Sequence, residues 1–76
     1  MEKNLIGDRL RLCRLTRKPF VKQKDLLARL QVMNIELPDS AISKIEAGTR
    51  PVTDIELVAI AEALNVSVLW LLGREG

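Results

Sequence analysis

The stretch Ser40-Ala41-Ile42-Ser43-Lys44-Ile45-Glu46-Ala47-Gly48 decides how this chain folds. It reads as one short helix with two apolar teeth, Ile42 and Ile45, and a polar outer face. Glu46 closes the last turn. Gly48 stands where helices commonly end on a left-handed residue, a conformation glycine adopts without steric cost.

Upstream, Leu26, Leu27 and Leu30 make the apolar stripe of another helix, from about Lys22 to Val32. The segment Met33-Asn34-Ile35-Glu36-Leu37-Pro38-Asp39 connects the two. It is longer than a tight turn and holds three apolar residues between its ends and its middle (Met33, Ile35, Leu37), which predicts a packed connection. Two starts for the later helix stay open: Pro38 favours a first helical position, and Asp39 would itself be a good cap. Short helix, connection, short polar helix is the layout of a helix-turn-helix DNA reader.

The flanking segments are helical as well. Ile6, Leu10 and Cys13 share one face of a first helix from about Leu5 to Leu15, with Asn4 as its N-cap and Arg9, Arg11 and Arg14 beside that face. Pro19 breaks the basic loop that follows, because the residue before a proline avoids the helical region. Phe20 and Val21 are expected to plug this loop onto the core. Thr53-Asp54-Ile55-Glu56 is a capping box that opens a fourth helix reaching about Leu64, with Leu57, Ile60, Ala61 and Leu64 as its stripe. Ser67 caps a short fifth helix, Val68 to Leu72, stopped by Gly73. No alternating strand pattern of useful length appears. The expectation is an all-α fold, with residues 1–76 as a single domain and helices at about 5–15, 22–32, 39–47, 54–64 and 68–72.

Composition narrows the chemistry. A chain of 76 residues buries only about 60% of its unfolded surface, so its core is small. With one Phe, one Trp and no Tyr, that core must be Leu, Ile, Val and Ala. Cys13 is the only cysteine and there is no histidine, which excludes an internal disulfide and leaves no ligand set for a structural zinc. Cys13 reads as a buried, inert thiol on an apolar face. No signal peptide and no apolar run of membrane length are present, so the chain reads as cytoplasmic, with no membrane partner. Residues 1–34 carry nine basic and three acidic side chains, a net +6, whereas residues 35–76 carry three and seven, a net −4. A domain that meets a polyanion presents its basic half to it, although charge alone does not separate this from a merely solvated face.

In this order the pieces resemble the Cro and lambda-repressor type of helix-turn-helix domain, the xenobiotic-response-element family. The resemblance spans about Ile6 to Gly73. It rests on Ile6-Gly7 and Arg14, on Gln23-Lys24-Asp25-Leu26-Leu27, on Ile42 through Gly48, and on Thr53 through Val68. It implies a compact five-helix lambda-repressor-like fold with a lengthened connection between helices two and three, about five residues longer than the usual tight turn. Lys22 replaces the usual Ser, Thr or Asn cap, which weakens the cap and strengthens the charge toward phosphate.

The resemblance also implies roles. Gln23 stands where a glutamine bonds a DNA phosphate and braces the recognition helix. Ser40, Ser43 and Lys44 stand where base edges and phosphates are reached, and Lys44 can bond guanine acceptors or neutralise a phosphate. Lys22, Thr49 and Arg50, with Arg17 and Lys18, are the implied phosphate grips. Asp39 occupies a position where a reading Gln is common, and is either a helix cap or an acceptor for a cytosine amino group. Arg14 and Glu46 match a buried Arg–Glu pair of structural character.

One such unit reads few base pairs, and readers of this kind dimerise on palindromic half-sites. The apolar C-terminal third supplies the candidate dimer surface: Ile55, Val58, Ala59, Leu69, Trp70 and Leu72. The implied function is sequence-specific binding of double-stranded DNA as a transcriptional regulator, in the first place a repressor acting as a homodimer, in a bacterial or phage-type cell interior. The alternative is a protein-interaction module, an antitoxin or adapter, on the same fold. An enzyme is not expected: there is no His, no Cys beside a base, no Gly-rich phosphate loop and no carboxylate cluster. No cofactor, metal or small-molecule ligand is implied.

Overall fold

Five helices form among residues 2–74, which the computed structural model describes: α1 (Gly7–Thr16), α2 (Gln23–Val32), α3 (Ala41–Glu46), α4 (Asp54–Leu64) and α5 (Val68–Leu71). No strand occurs among the described residues, and Met1, Glu75 and Gly76 lie outside them. The fold is all-α.

Local chemistry explains where the helices stop. α2, α3, α4 and α5 share one ending, a left-handed residue followed by two backbone bonds that retire the last carbonyls. The left-handed residues are Asn34, Gly48, Asn65 and Gly73. In each case the amide of the next residue reaches back to the helix: Ile35 to the Leu30 carbonyl, Thr49 to Lys44, Val66 to Ala61 and Arg74 to Leu69. α1 ends differently. Arg17 turns extended two residues ahead of Pro19, and the Lys18–Pro19 peptide bond is cis.

The starts are less uniform. Thr53 accepts from the Glu56 amide while Glu56 accepts from the Thr53 amide, both at 3.1 Å. Ser67 accepts from the Trp70 amide at 3.0 Å. α2 starts with half of such a box: lysine has no acceptor, and Asp25 alone reaches back, taking the Lys22 amide at 3.1 Å. α3 starts at Ala41, later than the sequence suggests, and no side chain caps it. Asp39 is therefore not its cap. The turn instead closes through the backbone, Ala41 amide to Pro38 carbonyl at 2.9 Å.

The core gathers the stripes into one cluster. Leu10 and Cys13 from α1, Leu26 and Leu30 from α2, Ile42 and Ile45 from α3, Ile60 and Leu64 from α4, and Leu71 from α5 are all buried. α2 packs on both α3 and α4, α1 packs on α3, and α5 packs on α4. Met33, Ile35 and Leu37 of the long connection lie half-buried against the core. Val21 plugs the first loop, pinned by its amide to the Arg14 carbonyl and by its carbonyl to the Arg14 guanidinium, but Phe20 does not and is exposed.

A close backbone approach joins α1 to the end of α3. A side chain on Gly7 would run into the carbonyl oxygens of Ile45 and Glu46. Glycine is required here for space, and this contact fixes the exit of α3 against α1.

Candidate nucleic-acid interface

The exit of α3 is organised around one carboxylate. Arg14 of α1 donates from Nε to Glu46 Oε2 at 2.7 Å and from Nη2 to Glu46 Oε1 at 2.9 Å. Its Nη1 donates to the Val21 carbonyl at 2.9 Å. Both side chains are 7% exposed, so the pair is desolvated. Gln23, the first residue of α2, donates from Nε2 to Glu46 Oε1 at 3.2 Å. Glu46 thus ties α1, the start of α2 and the end of α3 at one point. Two parallel bonds from a guanidinium to a carboxylate fix angle as well as distance, which suits a joint that sets a helix direction.

With Ile42 and Ile45 fully buried, α3 turns Ser43 and Lys44 outward, and both are exposed. Ser40 and Asp39 are exposed at its opposite end. The Ser43 hydroxyl donates to the Ser40 carbonyl at 2.9 Å. Thr49, exposed just past α3, donates from its hydroxyl to the Lys44 carbonyl at 3.2 Å. Lys22 is exposed beside Gln23. The structure therefore brings Lys22 and Gln23 to the Glu46 end of α3, and leaves Asp39 and Ser40 at the other end, about 9 Å along a six-residue helix.

Arg50 is more committed than a free phosphate grip. Its Nη1 donates to Glu56 Oε1 at 3.1 Å and its Nη2 to Glu56 Oε2 at 3.3 Å, with a further bond from Nη1 to the Pro51 carbonyl at 3.2 Å. Burial pushes the Glu56 carboxyl up, but the hydrogen bonds from Arg50 and from the Thr53 amide outweigh it, and the net shift is down. Arg17 is also occupied: it donates to the Leu64 carbonyl at the end of α4 and, at 3.5 Å, to Cys13 Sγ. Arg29 donates to the neighbouring Ala63 carbonyl at 3.0 Å. Two guanidiniums at the negative end of α4 are a structural use of basic charge that composition does not reveal.

The apolar candidates in the C-terminal third divide. Ile55, Val58 and Leu69 are exposed. Ala59 is 5% exposed and belongs to the core, so it lines no surface. It opens a run of three successive buried residues in α4, at 59, 60 and 61, so this part of the helix is covered on more than its core stripe. Trp70 is half-buried, with the Arg9 guanidinium 4.8 Å from its ring centre, so it folds back onto α1. Leu72 is half-buried in an apolar groove with Leu5, Val52 and Leu57.

Sequence reasoning missed the reach of Asn4. Expected only as the N-cap of α1, it is not that cap: α1 starts at Gly7 with Ile6 in the cap position. Asn4, two residues earlier, accepts from the Ile6 and Gly7 amides while donating from Nδ2 to the Ile45 and Arg50 carbonyls, at 3.1 and 2.9 Å. The signal was faint, since an asparagine before a helix normally reads as a cap and nothing more.

Among the described residues no helix is long and apolar enough to cross a membrane. No curated protein and no solved structure matches the chain. The family model described as helix-turn-helix matches residues 23–71, from the first residue of α2 to the last of α5. The chain belongs to the helix-turn-helix family of the Cro and lambda-repressor type, a family of DNA-binding transcription regulators and not of enzymes.

Proposed function

We propose that the chain is a sequence-specific repressor that occupies a palindromic operator as a homodimer inside a bacterial or phage-infected cell. The observation that carries this reading is the division of α3: its apolar residues are spent on the core, and its outward face is left to Ser43 and Lys44. A helix buried on one side and polar on the other fits the major groove. Ser40, Ser43 and Lys44 read base edges. With no capping bond to make, Asp39 is assigned to the amino group of a cytosine. Lys22, Gln23, Thr49 and Arg50 hold phosphates and set the register. Arg50 does so with a guanidinium already ordered on Glu56, where its Nη1 and one Nη2–H make the bonds and its Nε–H takes no part in them.

One such unit covers few base pairs, and a dimer doubles the site. Exposed Ile55, Val58 and Leu69 support a second copy as the partner, with the partly covered Trp70 and Leu72 at the margin. The same exposed side chains favour the second reading, an adapter or antitoxin whose main partner is another protein. Selection of bound duplexes from a random pool at two salt concentrations separates the two. A palindromic motif of about 10–20 base pairs is expected. A featureless, salt-sensitive pool means nonspecific binding only, and an empty pool leaves the protein-partner reading.

A further inference from the structure

Asn4 precedes α1, yet its carboxamide reaches the end of α3 and the loop that follows it. Oδ1 accepts from the amides of Ile6 and Gly7 at 3.0 and 2.9 Å. Nδ2 donates to the Ile45 and Arg50 carbonyls at 3.1 and 2.9 Å. A carboxamide has two acceptor positions and two donors, and here all four are used. The two halves need a carboxamide: an aspartate only accepts, and a serine is too short to span from α1 to the loop.

The neighbouring contacts point the same way. The Lys3 amide donates to the Gly48 carbonyl at 2.8 Å. Gly7 lies against the Ile45 and Glu46 carbonyls. Residues 48–50 are thereby held at Gly48 by Lys3, at the Arg50 backbone by Asn4, and at the Arg50 side chain by Glu56. Thr49 sits between these anchors, and its own amide returns to the Lys44 carbonyl at 3.0 Å.

We propose that Asn4 is a positioning residue for DNA binding: it clasps the exit of α3 and the following loop to α1, so that Lys44, Thr49 and Arg50 meet DNA already ordered. This rests on the reading of α3 and residues 49–50 as the DNA face. A preformed loop binds without the entropic cost of being ordered on contact. The clasp acts through carbonyls and touches no DNA itself.

The test uses the full chain with Asn4→Asp and Asn4→Ser. Both keep an acceptor for the start of α1 and lose the two carboxamide N–H donors that reach Ile45 and Arg50, and the serine adds no charge. Two readouts are taken at a temperature where each variant is folded. The first is hydrogen exchange of the Gly48 and Thr49 amides relative to core amides such as Leu30 and Ile60. The second is affinity for duplexes enriched by the wild-type chain, against a scrambled duplex. Exchange at Gly48 and Thr49 about tenfold faster with unchanged core amides, and roughly tenfold weaker binding to the enriched duplex alone, are expected. Unchanged exchange in both variants overturns the clasp. Faster exchange with unchanged affinity overturns its role in binding. A wild-type chain that enriches no duplex overturns the DNA reading itself, and the exchange data then still decide the clasp.

Discussion

Arg14 and Glu46, separated by 32 positions in the sequence, meet in a two-bond contact that is nearly closed to solvent, and Gln23 shares the same carboxylate. One acid therefore sets the mutual position of three helices. Its value lies in geometry more than in net energy, since a buried ion pair gains little over a well-packed apolar pair.

Breaking that pair from one side is costly. Arg14→Ala leaves a desolvated carboxylate with Gln23 as its remaining side-chain donor, and a loss of about 3–5 kcal/mol is expected in denaturant unfolding. Gln23→Glu places a second carboxylate against Glu46 and is expected to destabilise more than Gln23→Ala, whose cost is about 1 kcal/mol. Equal small losses for all three would show that the Glu46 carboxylate does not hold the three helices together.

Gly7→Ala tests the approach of α1 to α3. The added methyl meets backbone carbonyls, which cannot swing aside as a side chain does. A loss of about 1–3 kcal/mol is expected, although alanine is the better helix former by about 1 kcal/mol. A thermal melt at or above that of the parent chain would mean that α1 and α3 are further apart.

Glu56 links stability to acid. Its folded pKa lies below its ordinary value of 4.5, so its contribution is present above that value and is lost as pH falls through the lower, folded one. Glu56→Gln is expected to lower stability near neutrality and to flatten the decline below pH 4.5. A variant whose acid limb parallels the parent's would remove Glu56 from this role.

Leu69→Asp and Ile55→Asp test self-association without touching the core, since both side chains are exposed. Removing α5 altogether would not, because Leu71 is fully buried. Sedimentation is expected to show a dimer for the parent and a monomer for the variants, with melting points close to the parent's. A monomeric parent at high concentration would end the homodimer proposal.

Much of the fold is legible because it depends on local chemistry. The Ile42–Ile45 teeth, the Thr53–Glu56 box and the glycines at 48 and 73 each state their role within a few residues. Asn34 and Asn65 take the same left-handed cap as those glycines but look like ordinary polar residues until the helix ends are known. The start of α3 is ambiguous in sequence because Pro38 as a first helical residue and Asp39 as a cap both fit, whereas the helix starts at Ala41 with no side-chain cap. At the interface the limit is long range. Sequence shows that Arg17, Arg29 and Arg50 are basic, but not that carbonyls of α4 and the Glu56 carboxylate hold them. Likewise Ala59 falls on a plausible outer face in sequence, but it is buried with Ile60 and Ala61.

The central claim is that α3 reads bases through the side chains it turns outward, and Lys44 is the most direct probe. Binding of the parent and of Lys44→Ala is measured on an enriched duplex and on a scrambled one, across salt concentrations. A loss of about 1–3 kcal/mol confined to the enriched duplex is expected if Lys44 bonds a base edge. An equal loss on both duplexes, with a shallower salt dependence, would reduce Lys44 to a phosphate counter-charge and contradict the assignment of α3 as the reading helix.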